Sequence, residues 1–441
     1  MKKNKLGNIF FISFIAALGG YLFGFDFAVI SGALPFLRQQ FSLNEYWEGF
    51  LTASLALGAI FGTIGAGKIA DLLGRKKGLM IAAVVFCASS LGMAYSGNLT
   101  IFIFMRFSAG IGVGMASVLS PLYIAEIAPA AHRGRLVSIN QLTIVIGILV
   151  TNLVNYSLRN IETDAWRWMF GLGAVPSILF FMGAFLLPES PRWLMLRGDD
   201  NQARKILSKI GGTQYSAAVV KDIRKSMADT TSTQDTSMFK KIFLPALIVG
   251  ICVTMFQQLC GINVVFNYTT NIFENIGATK DNQLQQTVFI GLVNLLFTVL
   301  AMFLVDKWGR KRLLVFGYLG LAVAYVLIVQ FLQVKSQAVS WFLLSAIAIY
   351  AMTIAPTTWV VVSEIFPNKI RSKALSLSVL FLWFAYFILV FTFPPLFKYF
   401  QDKTFYIYAF VCLIALAVVL KAVKETKGKS LEELEDTFRM H

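Results

Sequence analysis

The sequence predicts an all-α integral membrane protein with twelve transmembrane helices, arranged as two parallel six-helix repeats with a cytoplasmic helical linker. Of its 441 residues, 57% are apolar and 14% are charged, whereas charged residues make up about 25% of a typical soluble protein. Apolar stretches of about 20 residues, the length that crosses a bilayer, recur along the chain with few charges. Such stretches are too long and too frequent for the core of a soluble domain.

The spans follow one another from the first residues onward. They cover residues 8–36, 48–70, 78–96, 99–124, 135–156, 168–187, 243–270, 285–305, 313–334, 339–362, 373–399 and 404–423. The chain starts with MKKNKLGNIFFI, which has the basic start of a signal peptide, but its apolar run is too long and no small-residue cleavage site follows. We interpret this segment as the first span.

The expected organisation has four parts. Residues 1–187 form the N-terminal six-helix half, 188–241 the linker, 242–423 the C-terminal half and 424–441 a cytoplasmic tail. The linker carries DDNQARKILSKI and AAVVKDIRKSM, whose charge spacing suits short amphipathic helices on the membrane surface.

Two internal matches indicate that the halves are repeats. GKIADLLGRKKGL at 67–79 resembles LVDKWGRKRLL at 304–314, and AEIAPAAHRGRLVS at 125–138 resembles SEIFPNKIRSKALS at 363–376. Because six spans separate the matching motifs, both halves have the same orientation in the membrane, as in transporters built from parallel repeats.

The distribution of charge sets the expected orientation. The net charge is +16, and most Lys and Arg residues fall in the termini and in the loops on one side of the membrane. Basic loops stay in the cytoplasm, so both termini are expected there. The basic residues form no nucleic-acid-binding face.

Several chemistries are not indicated. The cysteines, Cys87, Cys252, Cys260 and Cys412, lie within apolar spans and are expected to be small buried side chains rather than disulfides or metal ligands. The chain has no nucleophile with a neighbouring base, no metal-ligand cluster and no phosphate-binding loop. We therefore expect neither an enzyme nor a bound cofactor or metal.

Asp26 is the carboxylate set well inside a span, in YLFGFDFAVISGALPF at 21–36. A charge near the bilayer centre costs about 2.5–3.5 kcal/mol on insertion scales, so intramembrane ionisable residues indicate function by default. Arg106 is the deeply placed base, and helix rise places the two residues within about 5 Å of the same depth. We expect them to form a proton-coupling pair. The alternative is a permanent structural ion pair.

A second polar group lies in QQLCGIN at 257–263. Amides facing lipid would lack partners, so these should face a wet cavity. Gln258 and Asn263 are five residues apart, about 140° around a regular helix. They converge only if the helix is interrupted near Gly261. The alternative is that the amides tie helices together.

A third group comprises charged residues at helix ends on the predicted cytoplasmic side. In a transporter built from two such repeats, the halves meet on this side when the protein opens outward. Ion pairs there can hold that state closed and break on inward opening. The alternative is orientation charge with helix caps. The group comprises the expected pairs Asp71 with Arg75, Glu126 with Arg133, Glu189 with Arg192, Asp306 with Arg310, and Glu364 with Arg371.

These motifs resemble those of the sugar porter family of the major facilitator superfamily, which includes the glucose facilitators and the bacterial xylose:proton symporter. The resemblance is carried by the two D-x-x-G-R-K loops, the Glu–Arg pairs, PESPRWL at 188–194 and QQLCGIN. It implies the fold of that superfamily and sugar-hydroxyl contacts at Gln257, Gln258 and Asn263. It also implies an Asp in the first span of proton-coupled members, where the facilitators have Asn.

Three further sugar-binding positions follow from the resemblance: Gln141, Asn294 and Trp359. The chain departs from the family at Leu382, where a polar residue usually precedes the tryptophan of span 11, so one sugar hydrogen bond is expected to be missing. Pro356 is expected to interrupt span 10.

We therefore expect a symporter that carries a monosaccharide, an aldose such as glucose or xylose, together with a proton by alternating access. An uncoupled sugar facilitator and a non-transporting sugar sensor are the alternatives. The expected setting is a bacterial inner membrane, with lipid, sugar and proton as partners and a monomer as the assembly.

Overall fold

A computed structural model describes residues 3–129, 132–161, 164–232, 238–366, 370–425 and 427. Its regular elements are helices. The first six spans contain α1 (Lys3–Phe41), α2 (Glu45–Leu73), α3 (Arg75–Ala94), α4 (Leu99–Ile127), α5 (Arg133–Ser157), α6 (Ala165–Gly171) and α7 (Ala174–Leu186). The Asn44 and Asn98 side chains accept hydrogen bonds from the first turns of α2 and α4 and so fix where these helices begin.

Three helices follow in the polar segment: α8 (Pro191–Leu196), α9 (Asp200–Gly211) and α10 (Thr213–Ser232). The side chains of Leu194, Met195, Ala203, Leu207 and Val220 form a small apolar core of their own. The amphipathic helices predicted from the charge spacing are therefore present.

The last six spans contain α11 (Leu244–Leu259), α12 (Ile262–Asn267), α13 (Thr269–Asn275), α14 (Lys280–Trp308), α15 (Arg310–Gln333), α16 (Val339–Met352), α17 (Ile354–Ile365), α18 (Arg371–Phe400) and α19 (Thr404–Ala422). Within the described ranges, eleven stretches are long and apolar enough to cross a membrane, and the last, Lys373–Ala422, contains most of α18 and all of α19. A 3-10 turn at Gln401–Lys403 separates α18 from α19. The twelve-helix prediction is confirmed.

Close helix contacts depend on glycine. A Cβ atom on Gly58 of α2 would lie 1.9 Å from the Phe107 carbonyl oxygen of α4, and one on Gly110 would lie 2.1 Å from that of Leu55. Small residues let membrane helices approach closely enough for dispersion contacts, because lipid offers no hydrophobic driving force between helices. These positions therefore hold α2 against α4.

We call α1–α7 the N-terminal half and α11–α19 the C-terminal half. The motif end of the bundle carries the loops at 71–75 and 306–310, and the far end is the opposite one. Several polar contacts between described residues join the halves at the far end. They pair Arg38 with Glu274, Asn271 with Glu48, Thr270 with Ser31, Asn152 with Thr287, Arg159 with Asp281, and Lys398 with Glu45.

Candidate functional site

The two predicted intramembrane charges meet in the N-terminal half. Arg106 Nη1 of α4 lies 3.6 Å from Asp26 Oδ1 of α1, and both residues are fully buried. The distance is that of an ion pair but longer than a hydrogen bond. The equal depth predicted from helix rise is therefore matched by side chains that face each other.

This buried pair has few polar neighbours. Neither carboxylate oxygen of Asp26 and none of the guanidinium nitrogens of Arg106 has a hydrogen-bond partner among the described residues. The Arg106 guanidinium lies 5.8 Å from the centre of the Phe170 ring. Burial favours a neutral acid whereas the nearby cation favours a charged one, so the balance at Asp26 depends on their separation.

The seventh span is interrupted where the sequence predicts. Helix α11 ends at Leu259, Gly261 adopts the left-handed conformation with φ of +86°, and α12 begins at Ile262. The interruption turns Asn263 back toward α11, and its side-chain amide donates a hydrogen bond to Gln258 Oε1. The convergence that a regular helix forbids is achieved by this break.

Gln257 ties the broken seventh span to the tenth. Its Nε2 donates to the Ala355 carbonyl oxygen at 3.2 Å, while its Oε1 is buried without a partner among the described residues. The tenth span is itself divided at Thr353, between α16 and α17 and three residues before Pro356. Two interrupted helices therefore meet beside Gln257.

The remaining sugar positions expected from the resemblance differ in exposure. Asn294 of α14 is buried, Gln141 of α5 is half-buried and Trp359 of α17 is 39% exposed. Leu382 and Trp383 of α18 are buried. The sugar-binding role of these residues stays a prediction.

At the motif end, Arg75 pairs across its own half. Its guanidinium makes a two-pronged contact with Glu126 of α4, with hydrogen bonds of 2.9 Å, and lies 3.5 Å from Asp71. The sequence grouped Glu126 with Arg133, whose side chain lies outside the described part. Paired fork geometry makes the Arg75–Glu126 contact strong for its type.

The Glu189 carboxylate binds backbone N–H groups next to the Arg75–Glu126 pair. One of its carboxylate oxygens accepts hydrogen bonds from the backbone N–H groups of Arg75 and Lys76 at 2.9 and 3.2 Å. These are unpaired donors at the start of α3, where a negative charge also complements the helix dipole. The sequence grouped Glu189 with the exposed Arg192 and did not predict this cap.

The C-terminal half repeats the arrangement. Arg310 Nη2 lies 3.2 Å from Glu364, while Glu425 accepts from the backbone N–H groups of Arg310 and Lys311 at 2.8 and 3.1 Å. Glu425 therefore does for α15 what Glu189 does for α3. The sequence left the role of this tail segment open.

Asp306 and Arg371 are the two remaining members of the predicted motif-end group. The Asp306 side chain lies outside the described part, as does that of Arg133. Arg371 donates from Nε to the Phe366 carbonyl oxygen at 3.0 Å. The two ion pairs described above each lie within one half. Arg75 pairs with Glu126 in the N-terminal half, and Arg310 pairs with Glu364 in the C-terminal half.

A charged cluster at the far end was missed by the sequence analysis. Arg38 binds Glu48 through Nε at 2.9 Å and Glu274 through Nη1 at 2.8 Å. Asn271 donates to the buried carboxylate of Glu48. Arg38 and Glu48 belong to the N-terminal half and the other two to the C-terminal half. Charges near span ends are typical of interfacial anchors, so no sequence pattern indicated a bridge between the halves.

The sequence analysis also did not identify the buried hydrogen bond between Asn267 and Tyr386. Both are fully buried, and the Tyr386 hydroxyl donates to Asn267 Oδ1 at 3.2 Å. The available signal for Asn267 was its spacing of four residues from Asn263, which places both on one helix face. Tyr386 offered none, because a tyrosine within an aromatic span reads as core.

Comparisons with known proteins cover nearly the whole chain. The family described as Sugar (and other) transporter matches residues 12–438. The D-xylose-proton symporter of Escherichia coli K12 is 38% identical over 97% of this chain and 95% of its own length. The glucose transporter GlcP of Staphylococcus epidermidis is 37% identical over 100% of this chain and 98% of its own.

A solved structure gives the same result for the fold. The inward-open conformation of the xylose transporter XylE from Escherichia coli superposes with a TM-score of 0.87 at 38% identity. The match covers 97% of this chain and 99% of that one.

Proposed function

The chain belongs to the sugar transporter family, and from that membership we propose that it carries a monosaccharide across the cell membrane together with a proton. Family membership confirms the resemblance and places the protein among transporters rather than enzymes. Relatives at this level of identity are named for xylose with a proton and for glucose. They support an aldose as the substrate of this chain.

The observation that carries the coupling proposal is the buried Asp26–Arg106 pair. A carboxylate with no hydrogen bond among the described residues, 3.6 Å from its counter-charge, is sensitive to small movements. At that separation the attraction between charges falls steeply with distance in a medium of low dielectric. A shift of α1 against α4 would therefore load or release a proton at Asp26.

The proposed sugar site is the group of amides around the break at Gly261. An amide both donates and accepts a hydrogen bond, as does a sugar hydroxyl. Gln258 and Asn263 satisfy each other here, and a hydroxyl inserted between them would replace one contact with two. Gln257, Gln141, Asn294 and Trp359 complete the proposed set.

We assign the closed far end to the outside and the motif end to the cytoplasm, with both termini inside. The contacts across the far end then describe an inward-facing state, in agreement with the similarity to the inward-open xylose transporter. In the outward-facing state the motif-end charges of the two halves would approach each other. Rocking of the two halves about the sugar site opens that site to one side of the membrane and then to the other.

Transport in proteoliposomes tests the proposal. Counterflow with a panel of aldoses identifies the sugar, and accumulation driven by a pH gradient is then compared between the wild type and Asp26→Asn. We expect Asp26→Asn to retain counterflow and lose accumulation. Accumulation that persists in Asp26→Asn would refute coupling at this residue. Wild-type uptake that ignores the gradient indicates a facilitator, and binding without flux indicates a sensor.

A further inference from the structure

The Tyr386–Asn267 hydrogen bond lies between the amide group and Asp26, and neither partner belongs to the proposed sugar or proton site. Tyr386 is on α18 and Asn267 is the last residue of α12. Their side chains are 1% and 0% exposed. A buried polar pair of this kind needs each partner, because the loss of one leaves the other unsatisfied.

On one side, this pair continues into the amides. Asn267 Nδ2 donates to the Asn263 backbone carbonyl oxygen at 2.7 Å, and the Asn263 side chain donates to Gln258. Both asparagines belong to the single-turn helix α12. A rotation of α12 when a hydroxyl binds Asn263 would therefore move the acceptor of the Tyr386 hydroxyl.

On the other side, the Tyr386 ring contacts the helix that carries Asp26. Its centroid lies 5.4 Å from that of Phe27, the residue after Asp26 on α1. Tyr386 belongs to the C-terminal half and Phe27 to the N-terminal half, so this contact crosses the interface.

We propose that Tyr386 is a positioning residue that couples occupancy of the amides to the Asp26–Arg106 distance, with Asn267 as its partner. The inference rests on the proposed function. The hydroxyl fixes the ring relative to α12, and the ring fixes Phe27 and with it the adjacent Asp26. Two sites linked in this way typically change each other's affinity by about 5- to 150-fold.

Tyr386→Phe tests the proposal, since it removes the hydroxyl and keeps the ring against Phe27. Protons taken up per sugar and the gradient-driven accumulation ratio are measured in proteoliposomes with the aldose that supports wild-type counterflow. We expect accumulation to fall by about fivefold or more, while the KM and rate of counterflow stay near wild type. A merely structural role would lower both transport modes together.

Two variants sharpen the test. Tyr325→Phe is the matched control, because Tyr325 of α15 is also fully buried and its hydroxyl has no hydrogen-bond partner among the described residues. It should leave coupling unchanged. Asn267→Leu should also lower accumulation, and the double variant should be no worse than Asn267→Leu alone, because Asn267→Leu already removes the bond to Tyr386 as well as the bond to the Asn263 carbonyl oxygen.

Three outcomes would overturn the inference. They are wild-type accumulation in Tyr386→Phe, equal loss of counterflow and accumulation, or additive defects in the double variant. Asp26→Asn is measured alongside. If it loses accumulation while Tyr386→Phe does not, only this inference fails, whereas persistent accumulation in Asp26→Asn removes the proposed coupling itself.

Discussion

Asp26 on α1 and Arg106 on α4 form a fully buried ion pair of 3.6 Å, and neither charged group has a hydrogen-bond partner among the described residues. Taking charges out of water is expensive, and mutual attraction at this distance offsets only part of the cost. The arrangement is thus poor as a stabilising device. It fits a pair whose separation changes during a transport cycle.

Removing Arg106 alone should destabilise the protein more than removing both charges. Arg106→Leu leaves an uncompensated buried carboxylate, which costs about 3–5 kcal/mol in comparable cases, whereas replacing both partners is often neutral. The measurement is thermal unfolding in detergent at pH 8 for Arg106→Leu and for the double variant with Asp26→Leu. A single variant that melts at or above the double variant would contradict this prediction.

Gln258→Leu should weaken sugar binding without affecting coupling. Loss of one hydrogen bond to a hydroxyl costs about 1–1.5 kcal/mol, which raises the KM for counterflow about five- to tenfold. Gln285→Leu is the control, since Gln285 is an exposed glutamine of α14 in the same half. An unchanged KM in Gln258→Leu would remove this residue from the sugar site.

Gly261→Ala should impair both stability and transport. Its φ of +86° strains any residue with a Cβ, and that atom would lie 2.5 Å from Tyr408 Cγ. Gly277→Ala is the control, because Gly277 has a φ of +79° with nothing within 4 Å of the added atom.

We expect the control to cost about 1–2 kcal/mol through backbone strain alone. Gly261→Ala should cost more and lower counterflow severalfold, because the break that joins Gln258 to Asn263 is distorted. Equal melting temperatures and counterflow rates for the two alanine variants would show that the Tyr408 contact is unimportant.

Arg38→Gln should open the far end. It removes the contacts to Glu48 and Glu274, and a partly exposed ion pair contributes about 1 kcal/mol at most, equal to about fivefold in the ratio of states. Spin labels at Gln40→Cys and Asn275→Cys in a cysteine-free background report the distance between the halves. We expect a larger population of long distances.

Arg167→Gln is the matched control for this measurement. Arg167 pairs with Asp164 at 2.9 Å within the N-terminal half, so its loss should leave the distance distribution unchanged. Identical distributions for Arg38→Gln and Arg167→Gln would contradict a bridging role for Arg38.

Much of the architecture could be predicted because it depends on local sequence. Span length follows from helix rise and bilayer thickness, so the apolar runs predicted the helices. The interruption of the seventh span near Gly261 was expected from the angle between Gln258 and Asn263. The shared depth of Asp26 and Arg106 was likewise a matter of counting residues along helices.

The partners of the charged and polar side chains could not be predicted in the same way. Arg75 pairs with Glu126, 51 residues away, and Glu425 caps a helix that begins 115 residues earlier. Sequence proximity suggested other groupings. Tyr386 and Asn267 are 119 residues apart, and no motif in the sequence indicated that their side chains form a hydrogen bond.

The sequence by itself determined that this chain spans a membrane twelve times, belongs to the sugar transporters and holds an acid and a base at one depth. The tertiary structure alone decided which side chains contact across helices and halves. The reason is physical: hydropathy and helix periodicity depend on neighbouring residues. A contact between distant segments depends on the rotation and crossing of packed helices, which no local pattern specifies.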